Sequence, residues 1–214
     1  QTATDQSQTD LVAAYQGKRF GWPNLYTPFN SNETENLQTA LFALNHRVDG
    51  PRGDFVEAGA YHRRNKDDYA FNRFAPVGPV HPFQHTTWVS GAAAGGRQTW
   101  GDLALNARAE VSADELKSTS LTFGRYRTRT LTKLAVAPER SWVAADGTVT
   151  RLKAGASYDD SNRSSGALSP LAEVAREYSS GVLRRIFLSY VRTTQLPTYT
   201  ALNSSATGGL FRGN

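Results

Sequence analysis

The chain has 214 residues, of which 39% are hydrophobic and 11% aromatic, and it carries a net charge of +5. So many aromatic side chains exclude the composition of a disordered chain. The absence of Cys excludes disulfides, thiolate metal sites and Cys nucleophiles. Lys and Arg are scattered at strand spacing, which disfavours nucleic-acid binding. No apolar run approaches the roughly 20 residues of a membrane-crossing helix.

Strand-like patterns follow one another along the chain, and only one of them also fits a short helix (PLAEVAREY). Typical members alternate apolar and polar residues, which predicts strands with one apolar and one polar face. In chain order the segments are ENLQTALFALNHRV, DFVEAGAYHRRN, QHTTWVSGAAA, WGDLALNARAEV, RTLTKLAVAPERSW, VTRLKAGASYDD, PLAEVAREY and VLRRIFLSYVRT.

The clearest of these segments is WGDLALNARAEV, from Trp100 to Val111. Its period of two lasts for more than ten residues, whereas a typical soluble strand has about 5–6. One predicted face holds Leu103, Leu105, Ala107, Ala109 and Val111, and the other holds Asp102, Asn106, Arg108 and Glu110.

Short and long separators alternate between the predicted strands. The short ones are rich in Gly, Asp and Ser and predict tight hairpin turns. They are Asp49–Gly53, Ala93–Arg97, Ala144–Gly147 and Ser179–Gly181, and the long ones are Gly17–Thr34, Asn65–Phe83 and Ser112–Arg127. The alternation predicts one all-β domain over residues 1–214, an antiparallel up-and-down sheet of about nine strands with short turns at one end and long loops at the other.

Two architectures fit such strands. In a soluble β-sandwich the apolar faces form a core. In a transmembrane β-barrel they meet lipid, while the polar faces line the lumen. Long strands, short turns, long loops and aromatic residues near strand ends all favour a segment of a transmembrane barrel. We expect inward Arg and Lys side chains to pair with carboxylates such as Asp102 and Glu110, which would make a salt-bridged wall.

Two segments resemble the barrels of TonB-dependent outer-membrane receptors. One is FVEAGAYHRRNKDDYAFNRF. The other starts at LKAGASYDD and reaches the end of the chain through a Ser-Tyr pair, a Pro and a Gly-Asn pair. These residues are Ser189, Tyr190, Pro197, Gly213 and Asn214. Among these receptors the chain looks most similar to the vitamin B12 (cobalamin) type, and ferric-siderophore receptors share much of this region.

The resemblance implies a nutrient transporter of the Gram-negative outer membrane, not an enzyme, with no cofactor of its own. Its partners would be outer-membrane lipid, a small-molecule nutrient and the TonB complex, which acts through an N-terminal plug. No plug-like segment, TonB-contacting box or closing strand is recognisable. We therefore expect residues 1–214 to be an internal part of the 22-stranded barrel of such a receptor. The alternative is a soluble β-sandwich that binds carbohydrate or another ligand through aromatic loops.

Aromatic residues and one cation in the predicted loops are the candidate ligand-binding residues, because such mixtures are typical of binding surfaces. They are Trp22, Tyr26, Phe29, Tyr69, Phe71, Arg73, Phe74 and Tyr199. The same side chains could instead pack the loops onto the rim of the sheet.

No catalytic or metal site is predicted. The pairs Asp67–Asp68 and Asp159–Asp160 are neighbours on strands, so the two carboxylates of each pair should point to opposite faces. His81 and His85 have the spacing of zinc ligands on a helix, but Pro82 and the loop context disfavour that interpretation.

Overall fold

The computed structural model describes residues 2–3, 6–23, 32–74, 83–119 and 128–194, and these residues form one antiparallel β-sheet. No helix in these ranges has the length and hydropathy that crossing a membrane requires. The ten strands are β1 (Thr2–Ala3), β2 (Ser7–Pro23), β3 (Asn32–Asp49), β4 (Phe55–Ala70), β5 (Phe83–Trp100), β6 (Leu103–Ser118), β7 (Thr128–Val143), β8 (Val149–Ser161), β9 (Ser164–Glu177) and β10 (Arg185–Val191).

Each strand pairs with the next one along the chain, so the spatial order equals the sequence order. This up-and-down topology confirms the all-β prediction. Within the described residues β1 and β10 do not pair, and the sheet is therefore open. Apart from the two-residue β1 there are nine strands, and most have 13 to 18 residues, such as β3 with 18 and β8 with 13.

The connections alternate as the sequence predicts. At one end of the sheet, the short-turn end, lie Gly50–Asp54, Gly101–Asp102, Ala144–Thr148 and the segment after β9. The other end, the long-loop end, holds the connections after β2, β4 and β6. The two-residue link between β8 and β9 also lies at this end.

The predicted turn at Ala93–Arg97 is wrong, because this segment lies inside β5. The turn is at Gly101–Asp102 instead, where Gly101 has a φ of +64° that favours glycine. Gly95 allows neighbouring strands to approach closely: a Cβ on Gly95 would lie 2.9 Å from the carbonyl oxygen of Ala107. Glycine in a strand interior often marks such an approach rather than a turn.

The long separators predicted from sequence are also too long. Strands β2, β4 and β6 continue to Pro23, Ala70 and Ser118, well past the predicted strand ends. These strand tips carry polar residues on both sides, so the alternation of apolar and polar residues that indicates a strand disappears there although the backbone pairing continues.

The two sides of the sheet differ in composition. We call face A the side that carries Leu103, Ala107 and Val111 of β6 together with their register partners, and face B the side that carries Asn106 and Arg108. The buried residues of the described strands all lie on face B, and they are Glu33, Thr99, Ala104, Leu116, Ala137, Glu139, Ser169 and Ala175. Side chains on face B therefore cover one another more than those on face A do.

Candidate functional site

Face A is an exposed apolar surface. Its large side chains are open to the surroundings along the whole sheet: Leu11 on β2 is 58% exposed, Val136 on β7 50%, and Leu188 on β10 74%. One sheet contains every described strand, so no second layer covers this face within the described residues. Monomeric soluble proteins rarely expose apolar patches of such extent. We call the apolar middle of face A the apolar belt.

Aromatic side chains lie at both borders of the apolar belt. Trp100 and Trp142 lie at the border near the short turns, where the Arg140 guanidinium is 5.3 Å from the centroid of the Trp142 ring. Trp88, Tyr158 and further Tyr residues lie at the border near the long loops. Trp and Tyr are enriched where an apolar environment meets water, because each ring has an apolar body and a polar atom.

Face B is the salt-bridged wall that the alternation predicts. Cationic and acidic side chains form ion pairs across the strands, so their opposite charges neutralise one another. Glu57 on β4 reaches Arg108 on β6 at 3.2 Å, over Gly95 of the intervening strand. Other pairs on this face are Arg47–Glu57, Arg129–Asp114, Lys133–Asp159, Arg151–Glu177 and Arg185–Glu173.

Arg97 is the centre of a polar cluster on face B that the sequence did not indicate. Its guanidinium donates to Glu139 Oε1 at 3.0 Å, to Thr99 Oγ1 at 2.8 Å and to the carbonyl oxygen of Arg52 at 3.1 Å. It also lies 3.6 Å from Asp54 Oδ1. The cluster joins β5, β7 and the turn after β3. The incorrect turn at Ala93–Arg97 concealed it.

The predicted partners of the wall need one correction. Glu110 lies on face B, where Arg108 Nη2 is 4.0 Å from its carboxylate. Asp102 does not lie on the polar face of β6, because it belongs to the turn that precedes the strand. It accepts a hydrogen bond from Arg140 Nε at 2.9 Å, and both side chains are more than half exposed.

Four predicted ligand residues lie in one six-residue stretch of the chain at the long-loop end. The Tyr69 ring is 6.0 Å from the ring of Phe83, a neighbour that sequence reasoning missed. Beyond β4, the Arg73 guanidinium is 4.5 Å from the centroid of the Phe74 ring, which is 68% exposed. Phe71 lies between these two pairs in the chain and is half-buried. An exposed ring with a stacked cation can bind a flat or anionic ligand.

The positions of the other four predicted ligand residues are described only in part or not at all. Trp22 lies on β2, opposite Glu33 in the register, which places its backbone at the same end of the sheet. Tyr26, Phe29 and Tyr199 lie outside the described residues. The structure therefore places Tyr69, Phe71, Arg73 and Phe74 in one stretch at the long-loop end. The proposed roles of all eight residues remain predictions.

The adjacent carboxylates point to opposite faces, as predicted. Asp68 pairs with Lys66 on face A, whereas Asp67 lies on face B beyond the apolar belt. Burial raises the pKa of Asp67, and the nearby charge of Glu35 raises it further. Asp67 and Asp68 cannot chelate one ion together. No cluster of three or more His, Cys, Asp or Glu side chains suited to a metal occurs among the described residues.

Asp159 of the second carboxylate pair and His85 each contact a side chain on a neighbouring strand. Asp159 lies on face B, 3.2 Å from Lys133 Nζ, and accepts a hydrogen bond from Thr194 Oγ1 at 2.9 Å. His85 Nδ1 is 2.9 Å from the hydroxyl of Ser118. His81 lies outside the described residues.

Comparisons with protein families, curated proteins and solved structures found no match to this chain.

Proposed function

We propose that the chain forms part of the wall of a transmembrane β-barrel in the outer membrane of a Gram-negative bacterium. The whole protein would be a TonB-dependent receptor that takes up a scarce nutrient such as cobalamin or a ferric siderophore. The membrane part of this proposal is supported by the geometry of the apolar belt. The transport part is supported by the resemblance of the two sequence segments and by the aromatic surface at the long-loop end.

The observation that carries the proposal is that the apolar belt crosses the sheet diagonally. On β2 the belt is centred on Ala13, and the register leads from there through β3, β4 and β5 to Ala113 on β6. On β10 it is centred on Leu188, and the register leads back through β9, β8 and β7 to Leu103 on β6. The centre of the belt on β2 is therefore level with Ala113 of β6, whereas its centre on β10 is level with Leu103, ten residues away.

This displacement gives the tilt of the strands from the perpendicular to the belt. Ten residues span about 33 Å along a strand, and the eight strand-to-strand intervals from β2 to β10 span about 38 Å. The ratio corresponds to a tilt of about 40°. Strands of outer-membrane barrels tilt by about 35–45° from the membrane normal. A soluble sandwich has no comparable reason to keep its apolar residues on a diagonal.

The height of the belt also fits a bilayer. Trp88 and Trp100 lie at opposite borders of the belt on β5, twelve residues or about 40 Å apart along the strand. At a tilt of about 40° this distance becomes a height of about 30 Å. The apolar band of an outer-membrane barrel is about 25 Å tall and is flanked by aromatic residues, so Trp88 and Trp100 lie just outside a band of this height.

Quenching of tryptophan fluorescence by lipids with brominated acyl chains tests the membrane part. Trp22, Trp88, Trp100 and Trp142 are the only four Trp residues of the chain, which allows single-Trp variants. We expect protein folded in vesicles to be quenched at Trp100 and Trp142. A chain that remains folded and monomeric in buffer without detergent or lipid would support the soluble β-sandwich instead.

Ligand titration tests the transport part. We expect the protein in micelles to bind cyanocobalamin or a ferric siderophore saturably. Phe74→Ala should weaken the binding several-fold through loss of the exposed ring. Phe187→Ala removes an exposed ring on face B near the short turns and serves as the matched control. Equal affinity of both variants, or binding of neither ligand class, would contradict this assignment.

A further inference from the structure

Face A carries a groove with a floor of alanine side chains. The groove has a volume of about 640 Å³ and lies within the apolar belt. Ala58, Ala94 and Ala109 are directly opposite one another on β4, β5 and β6, so three methyl groups form one flat row. Leu44 and Leu134 stand on either side of this floor. The volume lies in the range of sites that bind small molecules.

Basic side chains lie on the same face between this groove and the long-loop end. On β4 the alternate residues after the floor are His62, Arg64 and Lys66. The register joins Lys66 through Thr86 to Lys117, which places the two lysines two strand spacings, or about 10 Å, apart. We call Arg64, Lys66 and Lys117 the rim cations.

The carboxylates near the rim cations neutralise them only in part. Asp68 pairs with Lys66, and Glu115 is exposed beside Trp88. Arg64 and Lys117 form no ion pair with any described residue. Arg19 on β2 is a further exposed cation and is level with Asp68 in the strand register. The surroundings of Arg64 and Lys117 therefore retain a net positive charge.

We propose that this part of face A binds a phosphate-bearing lipid, with an acyl chain in the alanine groove and the phosphate at the rim cations. This inference rests on the proposed position of face A in a membrane. A guanidinium favours phosphate because it can donate two parallel hydrogen bonds. Arg64 is the register partner of Trp88, and Lys66 and Lys117 lie two residues further from the groove. The order from the groove to Trp88 and Arg64 and then to the two lysines matches the order from acyl chain to interface to headgroup in a lipid. A free anion has no apolar part that could occupy the groove.

A variant that keeps only Trp88, with the other three Trp residues changed to Phe, reports on this site. The protein is folded in vesicles of phosphatidylcholine that contain a small fraction of phosphatidylglycerol, and the bromine is placed on the acyl chains of one lipid or the other. We expect brominated phosphatidylglycerol to quench Trp88 more strongly than its mole fraction predicts. A quenching that follows mole fraction alone would overturn the proposal.

Charge and groove variants identify the source of this preference. Arg64→Gln with Lys117→Gln should reduce the preference for phosphatidylglycerol about fivefold for each cation removed. A single cation near an anionic surface increases the affinity by about this factor. Arg140→Gln with Arg176→Gln makes the same charge change on the short-turn side of face A and should leave the preference intact. Ala94→Leu fills the groove and should lower the quenching, whereas Ala93→Leu on face B should not.

Two further outcomes separate the possible failures. If inorganic phosphate at millimolar concentration abolishes the preference, the rim cations form a plain anion site and the lipid proposal is wrong. If brominated phosphatidylcholine quenches neither Trp100 nor Trp142 in the corresponding single-Trp variants, face A does not meet lipid and the proposed function itself fails. Normal quenching at those two residues without a lipid preference at Trp88 overturns only the lipid site.

Discussion

The two faces of the sheet reverse the arrangement of a soluble protein. On face A apolar side chains are exposed, as for Leu168 at 66%, whereas on face B a carboxylate such as Glu139 is only 8% exposed. Soluble proteins bury the first kind of residue and expose the second. The comparison indicates that face A is suited to an apolar solvent and that face B is stabilised by pairing among its own polar groups.

The reversal gives the two faces different sensitivities to mutation. If face A meets lipid as proposed, a charge should cost most there, because lipid offers it no partner. The loss of a charge costs most on face B, where it leaves a buried partner alone. Substitutions on the two faces therefore test this contrast.

The largest effect is expected at the centre of the polar cluster on face B. Arg97→Ala leaves the buried carboxylates of Glu139 and Asp54 without their cation. Removal of one partner of a buried pair costs about 3–5 kcal/mol. We expect a loss of this size in the free energy of unfolding, measured with urea in micelles.

Arg140→Ala is the matched control for Arg97→Ala. Its pair with Asp102 is exposed on both sides, and exposed pairs contribute about 0–1 kcal/mol. Equal losses in the two variants would mean that the Arg97 cluster is not a buried site.

A somewhat smaller loss is expected for a charge within the apolar belt. Val136 is the middle belt residue of β7, and Val136→Arg should cost about 2–4 kcal/mol for folding into vesicles. Ser189→Arg lies on face B of β10, where residue 189 is exposed and opposite Glu173, and should change the free energy by less than about 1 kcal/mol. If the face B variant loses more stability than Val136→Arg, face B rather than face A meets lipid.

Gly96→Val tests the close packing of β4 against β5. A Cβ at this position would lie against the carbonyl oxygen of Phe55, so the strands must separate. Overpacking of this kind costs about 1–3 kcal/mol. Ala94→Val, two residues earlier on the same face, serves as the control because a Cβ is already present there. Urea unfolding in micelles measures both, and an equal stability would contradict the tight approach.

The smallest effect is expected at Asp146 in the turn after β7. The backbone N–H of Thr148 donates to Asp146 Oδ1 at 2.8 Å, and this bond, together with the Thr148 hydroxyl, lowers the pKa of the carboxyl. A lowered pKa contributes stability above the ordinary Asp value, and this contribution disappears as the pH falls through the folded value. An NMR titration should give a midpoint below the ordinary value. A midpoint at or above it would show that the bond does not form.

Much of the fold follows from the sequence because period-two alternation is strong within the apolar belt. The segment from Leu103 to Val111 identifies a strand and its two faces without further information. The tips of the strands cannot be predicted in this way, because polar residues on both sides remove the alternation. The position of the turn between β5 and β6 could not be predicted either, since glycines occur both in the strand and at Gly101.

The site was less predictable than the fold. The diagonal of the belt depends on the register of the nine strands from β2 to β10, and a turn misplaced from Gly101 to Ala93–Arg97 changes the pairing of β5 with β6. Arg97 became recognisable only when that register was known. Tyr69 and Phe74 could be proposed from residue type alone, whereas the neighbour of Tyr69, Phe83, is brought close by strand pairing.

Spin labelling along β6 tests the central claim most directly. The chain has no Cys, so one Cys at a time can be placed from position 103 to position 113 and labelled in protein folded in vesicles. We expect odd positions to be accessible to oxygen, which concentrates in lipid, and even positions to a water-soluble nickel chelate. Equal access of the chelate to both sets of positions would contradict the assignment of face A to the membrane.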